Sequence, residues 1–204
     1  MGVMADQERP HNDTSFILAS ASPRRLELLN QIGCTPARVV PANIDEAPLP
    51  KELPRQLAKR LSVAKARAIA FKHPDEVVLA ADTVVACGRR LLPKAETEQE
   101  ATTSLQFLSG RRHRVFGGVC VIAPGGHIWE RLVETSVAFR RISSIDISVY
   151  TMTDEWRGKA GGYAIQGQAG TFVRSINGSY TNVVGLCVYT TLGLLRLAWS
   201  HARY

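Results

Sequence analysis

The 204-residue sequence lacks several features that would place it quickly, and each absence excludes a class of protein. No hydrophobic run approaches the ~20 residues that cross a bilayer; the longest, VVLAADTVVAC from Val77 to Cys87, is an apolar strand at most, so no membrane span is expected. The four cysteines, Cys34, Cys87, Cys120 and Cys187, stand far apart, which leaves no C-x-x-C metal or redox pair and suggests small buried hydrophobes. G-x-x-x-x-G-K-[ST], G-x-G-x-x-G, H-E-x-x-H and G-x-S-x-G are all missing. P-loop enzymes, Rossmann dehydrogenases, zincins and α/β-hydrolases are thereby set aside. Internal repeats and low-complexity linkers are absent too. The polar opening MGVMADQERPHNDTS has no apolar segment behind a basic start. It does not resemble a secretory signal, so a cytoplasmic location is expected. A flexible tail over residues 1–15 and a single domain over 16–204 are expected.

The chain is well supplied with apolar residues and positive charge. Hydrophobic residues make up 45%, enough for a sizeable core, and the net charge of +7 favours anionic partners. Arg111 to Arg114 and Arg140–Arg141 are the densest basic spots. They are short and carry no interleaved aromatics, so solvated basic faces are expected and stable nucleic-acid binding is not.

The stretch LASASPRR, Leu18 to Arg25, reads as a strand running into a helix. Ser22 is suited to cap that helix, Pro23 to its first position and Gly33 to its end, with Leu26, Leu29 and Ile32 as its apolar stripe. Free N–H groups in a first helical turn attract anions, and Arg24 and Arg25 add fixed charge beside them. Further on, Leu57, Leu61, Ala64 and Ala68 predict a helix over 54–71, with Lys65 at the rim of its buried stripe. A doubly covered strand is predicted over 77–87. Thr97 and Glu100 have capping-box spacing, 115–123 and 128–142 read as a hairpin, and a helix is expected around 145–152. The segment from Gly170 onward reads as strand, Asn-Gly turn, strand and C-terminal helix. The whole is an α/β pattern with a mixed sheet.

Asp82 is the most informative residue. A carboxylate inside an apolar strand is costly to bury without a partner, so Thr83, a lysine or a cation should compensate it; the alternative is that it ends a short strand and caps a turn. Glu46, in the proline-stiffened loop NIDE, is a second carboxylate that could help hold a divalent ion. Lys65 and Lys94 read either as solvated lysines or as cations facing the same cleft. In GGYAIQG, Gly161 to Gly167, the Gln166 amide can donate to and accept from a base edge, although the bare pattern is also that of an ordinary turn.

Taken in order, LASASPRRLELL, NIDE, AKARAIA, LAADTVV, LSGRRHRV, KAGGYAIQG and INGSYTNVVGL resemble the Maf family of nucleotide pyrophosphatases, also called septum formation inhibitors. The resemblance runs from Phe16 to about Leu197. It implies a mixed, strongly twisted sheet with flanking helices and two lobes around a central cleft, related to inosine triphosphate pyrophosphatases. It also implies hydrolysis of nucleoside triphosphates to monophosphate and pyrophosphate with a divalent cation, Mg²⁺ or Mn²⁺, and leaves a homodimer open. By the same resemblance Asp82 is the proton acceptor or a metal ligand, with Glu46 as the other ligand. Ser20, Arg24, Arg25, Lys65, Thr83, Lys94 and Gln166 would bind substrate. The form AIQG points to the branch acting on dTTP and UTP or modified pyrimidine nucleotides; alternatives are a 7-methyl-GTP pyrophosphatase, or a non-enzymatic nucleic-acid-binding or cell-division regulatory protein. Three departures from the family pattern stand out: PKA around Lys94, Gly117 in FGGV where a threonine is usual, and Cys187 in place of a proline.

Overall fold

Alternating small and β-branched residues build a central sheet whose two faces take different helices. The computed structural model describes residues 15–202, and the expected tail falls almost wholly outside them. The strands are β1 (Ile17–Leu18), β2 (Arg38–Val39), β3 (Val78–Cys87), β4 (Arg90–Leu92), β5 (Lys94–Ala95), β6 (Arg112–Ile122), β7 (Ile128–Phe139), β8 (Lys159–Ala160) and β9 (Val173–Asn177). The helices are α1 (Pro23–Gln31), α2 (Pro54–Ala70), α3 (Glu98–Leu108), α4 (Ser144–Thr151), α5 (Tyr180–Val184) and α6 (Val188–His201). The sheet order is β2-β1-β3-β6-β7-β9 with β4 also on β3, while β5 and β8 form a separate two-stranded sheet. β1 runs parallel to β2 and β3, and the remaining pairs are antiparallel, so the sheet is mixed.

Period-2 alternation sorts the core. Ile17, Val78 and Ala80 pack with Ala66 and Ile69 of α2, whereas Leu18, Leu79 and Ala81 pack with Leu194, Leu195 and Ala198 of α6. A further cluster joins Val85 and Leu92 to Leu105 of α3, Tyr150 of α4 and the aromatics Trp156 and Tyr163. It forms a second lobe around the small sheet. β1 and β4 share one edge of β3: β1 pairs at Val78 and Leu79, and β4 begins at Val85. Between them, residues 80–84 have no strand on that edge. There the cleft opens, with Asp82 midway along it rather than ending the strand.

Several sequence expectations are revised. The buried stripe of α1 is Arg25, Leu28 and Leu29, while Ile32 lies 37% exposed at the helix end, because the helix turns an arginine, not Ile32, toward the protein. Ser22 occupies the cap position without a side-chain cap bond; its N–H instead donates to Ser20 Oγ at 3.2 Å. In α2 the buried face runs through Ser62, Lys65 and Ile69, which places Lys65 inside the stripe rather than at its rim. β7 ends at Phe139, short of Ile142. After the Asn-Gly turn the chain forms α5 instead of a strand. Ser179 Oγ accepts from the Asn182 N–H at 3.2 Å, and the Asn182 amide donates to the Val115 carbonyl at 3.2 Å and to Thr135 Oγ1 at 3.0 Å. A polar side chain sunk into the sheet holds this segment, which periodicity cannot reveal. Gly117 makes room for it, since a Cβ there would collide with Asn182 Oδ1. The capping box of α3 forms as expected, with Thr97 Oγ1 accepting from the Glu100 N–H at 3.3 Å and Glu100 Oε2 from the Thr97 N–H at 3.1 Å.

Candidate active site

The turn between β1 and α1 and the bare edge of β3 make one wall of the cleft. Arg25 crosses between them, buried, and all three guanidinium nitrogens find partners: Nε donates to the Gly185 carbonyl at 3.0 Å, Nη1 to Ser20 Oγ at 2.8 Å and Nη2 to Thr83 Oγ1 at 3.3 Å. Thr83 Oγ1 also donates to the Gly185 carbonyl at 3.2 Å. Three sequence-distant pieces are thus tied at one cation. Burial pulls the Arg25 pKa below its ordinary value, with the nearby Asp82 charge opposing the shift. Arg24, half-buried on the same turn, is also lowered by burial, and among the described residues no hydrogen bond or ion pair occupies its guanidinium.

Asp82 is 6% exposed and Lys65 7%, with Lys65 Nζ 2.6 Å from Asp82 Oδ1. The same ammonium lies 2.8 Å from Glu46 Oε1, and Lys94 Nζ stands 3.7 Å from Glu46 Oε2. A lysine, one of the partners the strand carboxylate calls for, compensates Asp82. For Glu46, burial alone would raise the pKa, but the hydrogen bond from Lys65 and the charges of Lys65, Lys94 and Arg25 outweigh it and hold the group below the usual range. Despite the PKA departure, Lys94 therefore faces the cleft.

The cavity measures about 450 Å³, room for a nucleotide-sized ligand. Six cationic residues line it, Arg24, Arg25, Lys65, Lys94, Arg157 and Lys159, against three carboxylates, Glu46, Asp82 and Glu96. The surplus is positive, and an anion of several charges would balance it.

Residues 15–198 match the family model described as Maf-like protein. The chain belongs to the Maf family. Among its relatives, a Paramagnetospirillum magneticum protein named dTTP/UTP pyrophosphatase is 59% identical over 180 residues, covering 88% of this chain and 95% of the relative. A Caulobacter vibrioides protein of the same name is 56% identical, covering 89% of this chain and 94% of the relative. One from Brucella abortus strain 2308 is also 56% identical, covering 88% and 89%. A solved nucleoside-triphosphatase / dITP/XTP pyrophosphatase from Mycobacterium abscessus gives a TM-score of 0.39 at 15% identity, covering 64% of this chain and 75% of that one, too remote to bear on either fold or function.

Of the residues singled out in this Maf-family sequence, Ser20, Arg24, Arg25, Glu46, Lys65, Asp82, Thr83 and Lys94 all line the cleft. Gln166 does not. Its side chain is exposed, outside the cavity lining, at the far end of the GGYAIQG turn. The opposite wall carries residues that sequence reasoning missed: Arg157, Lys159 and Tyr163. Lys159 sits in the small sheet opposite Ala95 and is held by the Arg157 carbonyl at 2.9 Å. Burial lowers its pKa, and proximity to Arg24 lowers it further. The available signal was its place at the head of KAGGYAIQG, but a single lysine before a glycine pair does not distinguish a site from a turn.

Proposed function

We propose that this chain hydrolyses nucleoside triphosphates, dTTP and UTP foremost, to the monophosphate and pyrophosphate. The observation that carries the proposal is a cleft with a surplus of cations arranged around the paired carboxylates Asp82 and Glu46. The names of the relatives, at 55–59% identity, support the choice of pyrimidine nucleotides. A cytoplasmic location belongs to the same reading, and no described helix is long and apolar enough to cross a membrane.

The oxygen donors of Glu46 and Asp82 fit a divalent cation of the Mg²⁺ or Mn²⁺ kind, which takes one or two carboxylates and completes its shell with phosphate oxygens. Among the described residues no group of three or more metal-ligating side chains is gathered, so substrate oxygens would have to finish that shell. When bound, such an ion supplies charge neutralisation and an acidified water. The protein's own residues do the rest. Arg25 fixes Ser20 and Thr83, leaving Arg24 to donate to phosphate oxygens from one wall while Lys94 and Lys159 face them from the other. Asp82 accepts a proton from water as its oxygen bonds to the α-phosphorus. The bond from that phosphorus to the bridging oxygen breaks, and pyrophosphate leaves among the lysines and Arg24.

The direct test is incubation of the chain with dTTP, UTP, 7-methyl-GTP, ATP and GTP in the presence of Mg²⁺ or Mn²⁺, measuring pyrophosphate release. dTTP and UTP should lead the panel. No release from any nucleotide would reject the enzyme, and 7-methyl-GTP in first place would reject the assigned branch.

A further inference from the structure

Across the cleft from the turn before α1, Tyr163 and Ala160 stand among Lys94, Arg157 and Lys159. Of the described residues that line the cavity, Tyr163 is the one aromatic ring, so it offers flat, uncharged surface in a lining otherwise made of charged, small or aliphatic side chains. Tyr163 is pressed into place from behind. Gly161 and Gly162 both have positive φ, and a Cβ on either would crowd Val85 Cγ1 at 3.1 Å or the Ala101 Cα at 3.0 Å, so the turn can approach β3 and α3 only as glycine. The Tyr163 hydroxyl meets His113 Nε2 at 2.8 Å. Phe139 packs on the same two rings, its centroid 4.8 Å from that of His113 and 5.0 Å from that of Tyr163. His113 is 1% exposed, and among the described residues no hydrogen-bond partner meets its Nδ1. A histidine kept in a core with one nitrogen unsatisfied and the other aimed at a single hydroxyl serves that hydroxyl, or it is a cost without return.

We propose that Tyr163 forms the wall against which the nucleoside end of the substrate rests, and that His113, neutral and buried, is a positioning residue that locks the Tyr163 ring through its hydroxyl. The inference rests on the nucleotide reading of the cleft. It follows from the lining: the cations on both walls draw the triphosphate, and the flat, uncharged end of the same molecule is left the one aromatic surface among the described lining residues. A neutral ring suits the task, since an imidazolium in this apolar cluster would lack a counter-charge. Burial pushes the His113 pKa down to about 4, in keeping with that role.

The test compares wild type with Tyr163→Phe, His113→Leu, the double variant and His113→Gln, whose amide can still reach the hydroxyl. With UTP, KM should rise about tenfold in Tyr163→Phe and His113→Leu, a factor equivalent to about 1.4 kcal/mol, with kcat within about twofold. The double variant should be no worse than either single one, and His113→Gln should regain most of the affinity. Inhibition by inorganic pyrophosphate, which engages the cations and has no ring to rest on Tyr163, should be unchanged. An unmoved KM, additive losses, or equal weakening of pyrophosphate would overturn the role. Should His113→Leu fail to fold, Tyr163→Phe still decides the KM arm, and ¹⁵N NMR of the wild-type histidine ring decides the other: a neutral ring at pH 7 is expected, and an imidazolium would overturn it. Loss of the functional reading looks different, because then no nucleotide is turned over by wild type.

Discussion

Arg24 and Arg25 are neighbours in sequence with opposite duties. Arg25 is spent on the protein, its nitrogens taken by Ser20, Thr83 and the Gly185 carbonyl, whereas the proposed function has Arg24 donate to the substrate. Arg25→Ala should therefore unfold more easily in urea, by roughly 2–4 kcal/mol for three buried acceptors left short of a donor, and should lose activity with it. Arg24→Ala should unfold like wild type and lose activity alone; matching urea curves for both variants would contradict the division. For Asp82→Asn, a folded protein with at least about a hundredfold slower turnover is expected, the scale of acid–base or metal-positioning groups. Circular dichroism alongside pyrophosphate release checks it. His113 makes a pH prediction. Its folded pKa of about 4 lies below the ordinary 6.5, so the unfolded chain takes up a proton that the native state refuses. Its stabilisation is full above about pH 6.5 and drains away as pH falls toward 4, by on the order of 3 kcal/mol in all. Urea midpoints at pH 7.5 and 5 should diverge more for wild type than for His113→Phe.

At the scale of elements, close approach of α2 to β6 decides whether the site exists. Lys65 reaches Asp82 and Glu46 from α2 only because the helix lies against the sheet at Gly118, where a Cβ would collide with the Ala58 carbonyl and crowd Ser62 Oγ at 2.7 Å. The obstacle is backbone, which cannot rotate away. Gly118→Ala is expected to destabilise the fold by roughly 1–3 kcal/mol and to lower activity beyond what the lost stability explains, as the 2.6 Å Lys65–Asp82 contact opens. Gly117 meets only the Asn182 side chain, whose displacement would give up its bonds to Val115 and Thr135 but would leave α2 in place, so Gly117→Ala should cost less than Gly118→Ala. Chemical denaturation of the two variants side by side gives the order, and the reverse order would mean that α2 is free to shift.

Over the whole molecule, a net charge of +7 and a cleft with twice as many cations as carboxylates should draw a polyanion from a distance. The value of kcat/KM for dTTP is expected to fall several-fold between about 0.02 and 0.5 M monovalent salt, as the Debye length shrinks from roughly 20 to 4 Å, with kcat changing far less. A salt-independent kcat/KM would show that the surplus charge plays no part in capture.

Much of this was legible in the chain. The lengths of α2, α3 and β3 follow from apolar periodicity and capping chemistry that act within one element. Asp82 announced itself because a carboxylate in an apolar strand must find a partner. The family motifs, read in order, brought eight of the residues that line the cleft to attention. What the sequence could not specify was which partner each charge would take. That Arg25 is locked to Thr83 and Gly185, 58 and 160 residues away, and that Lys65 bridges two carboxylates, depends on where β1 stops along β3 and how closely α2 approaches Gly118. The strand expected after the Asn-Gly turn became α5 because Asn182 finds its acceptors in β6 and at Thr135, and Lys159 and Tyr163 joined the cleft only through the pairing of β5 with β8 and the packing behind them. Local pattern fixes where α2, α3 and β3 begin and end; which residues of α1 and α2 turn inward, and the distances between elements that make a site, are set by packing among residues far apart in the chain, and those only the tertiary structure decides.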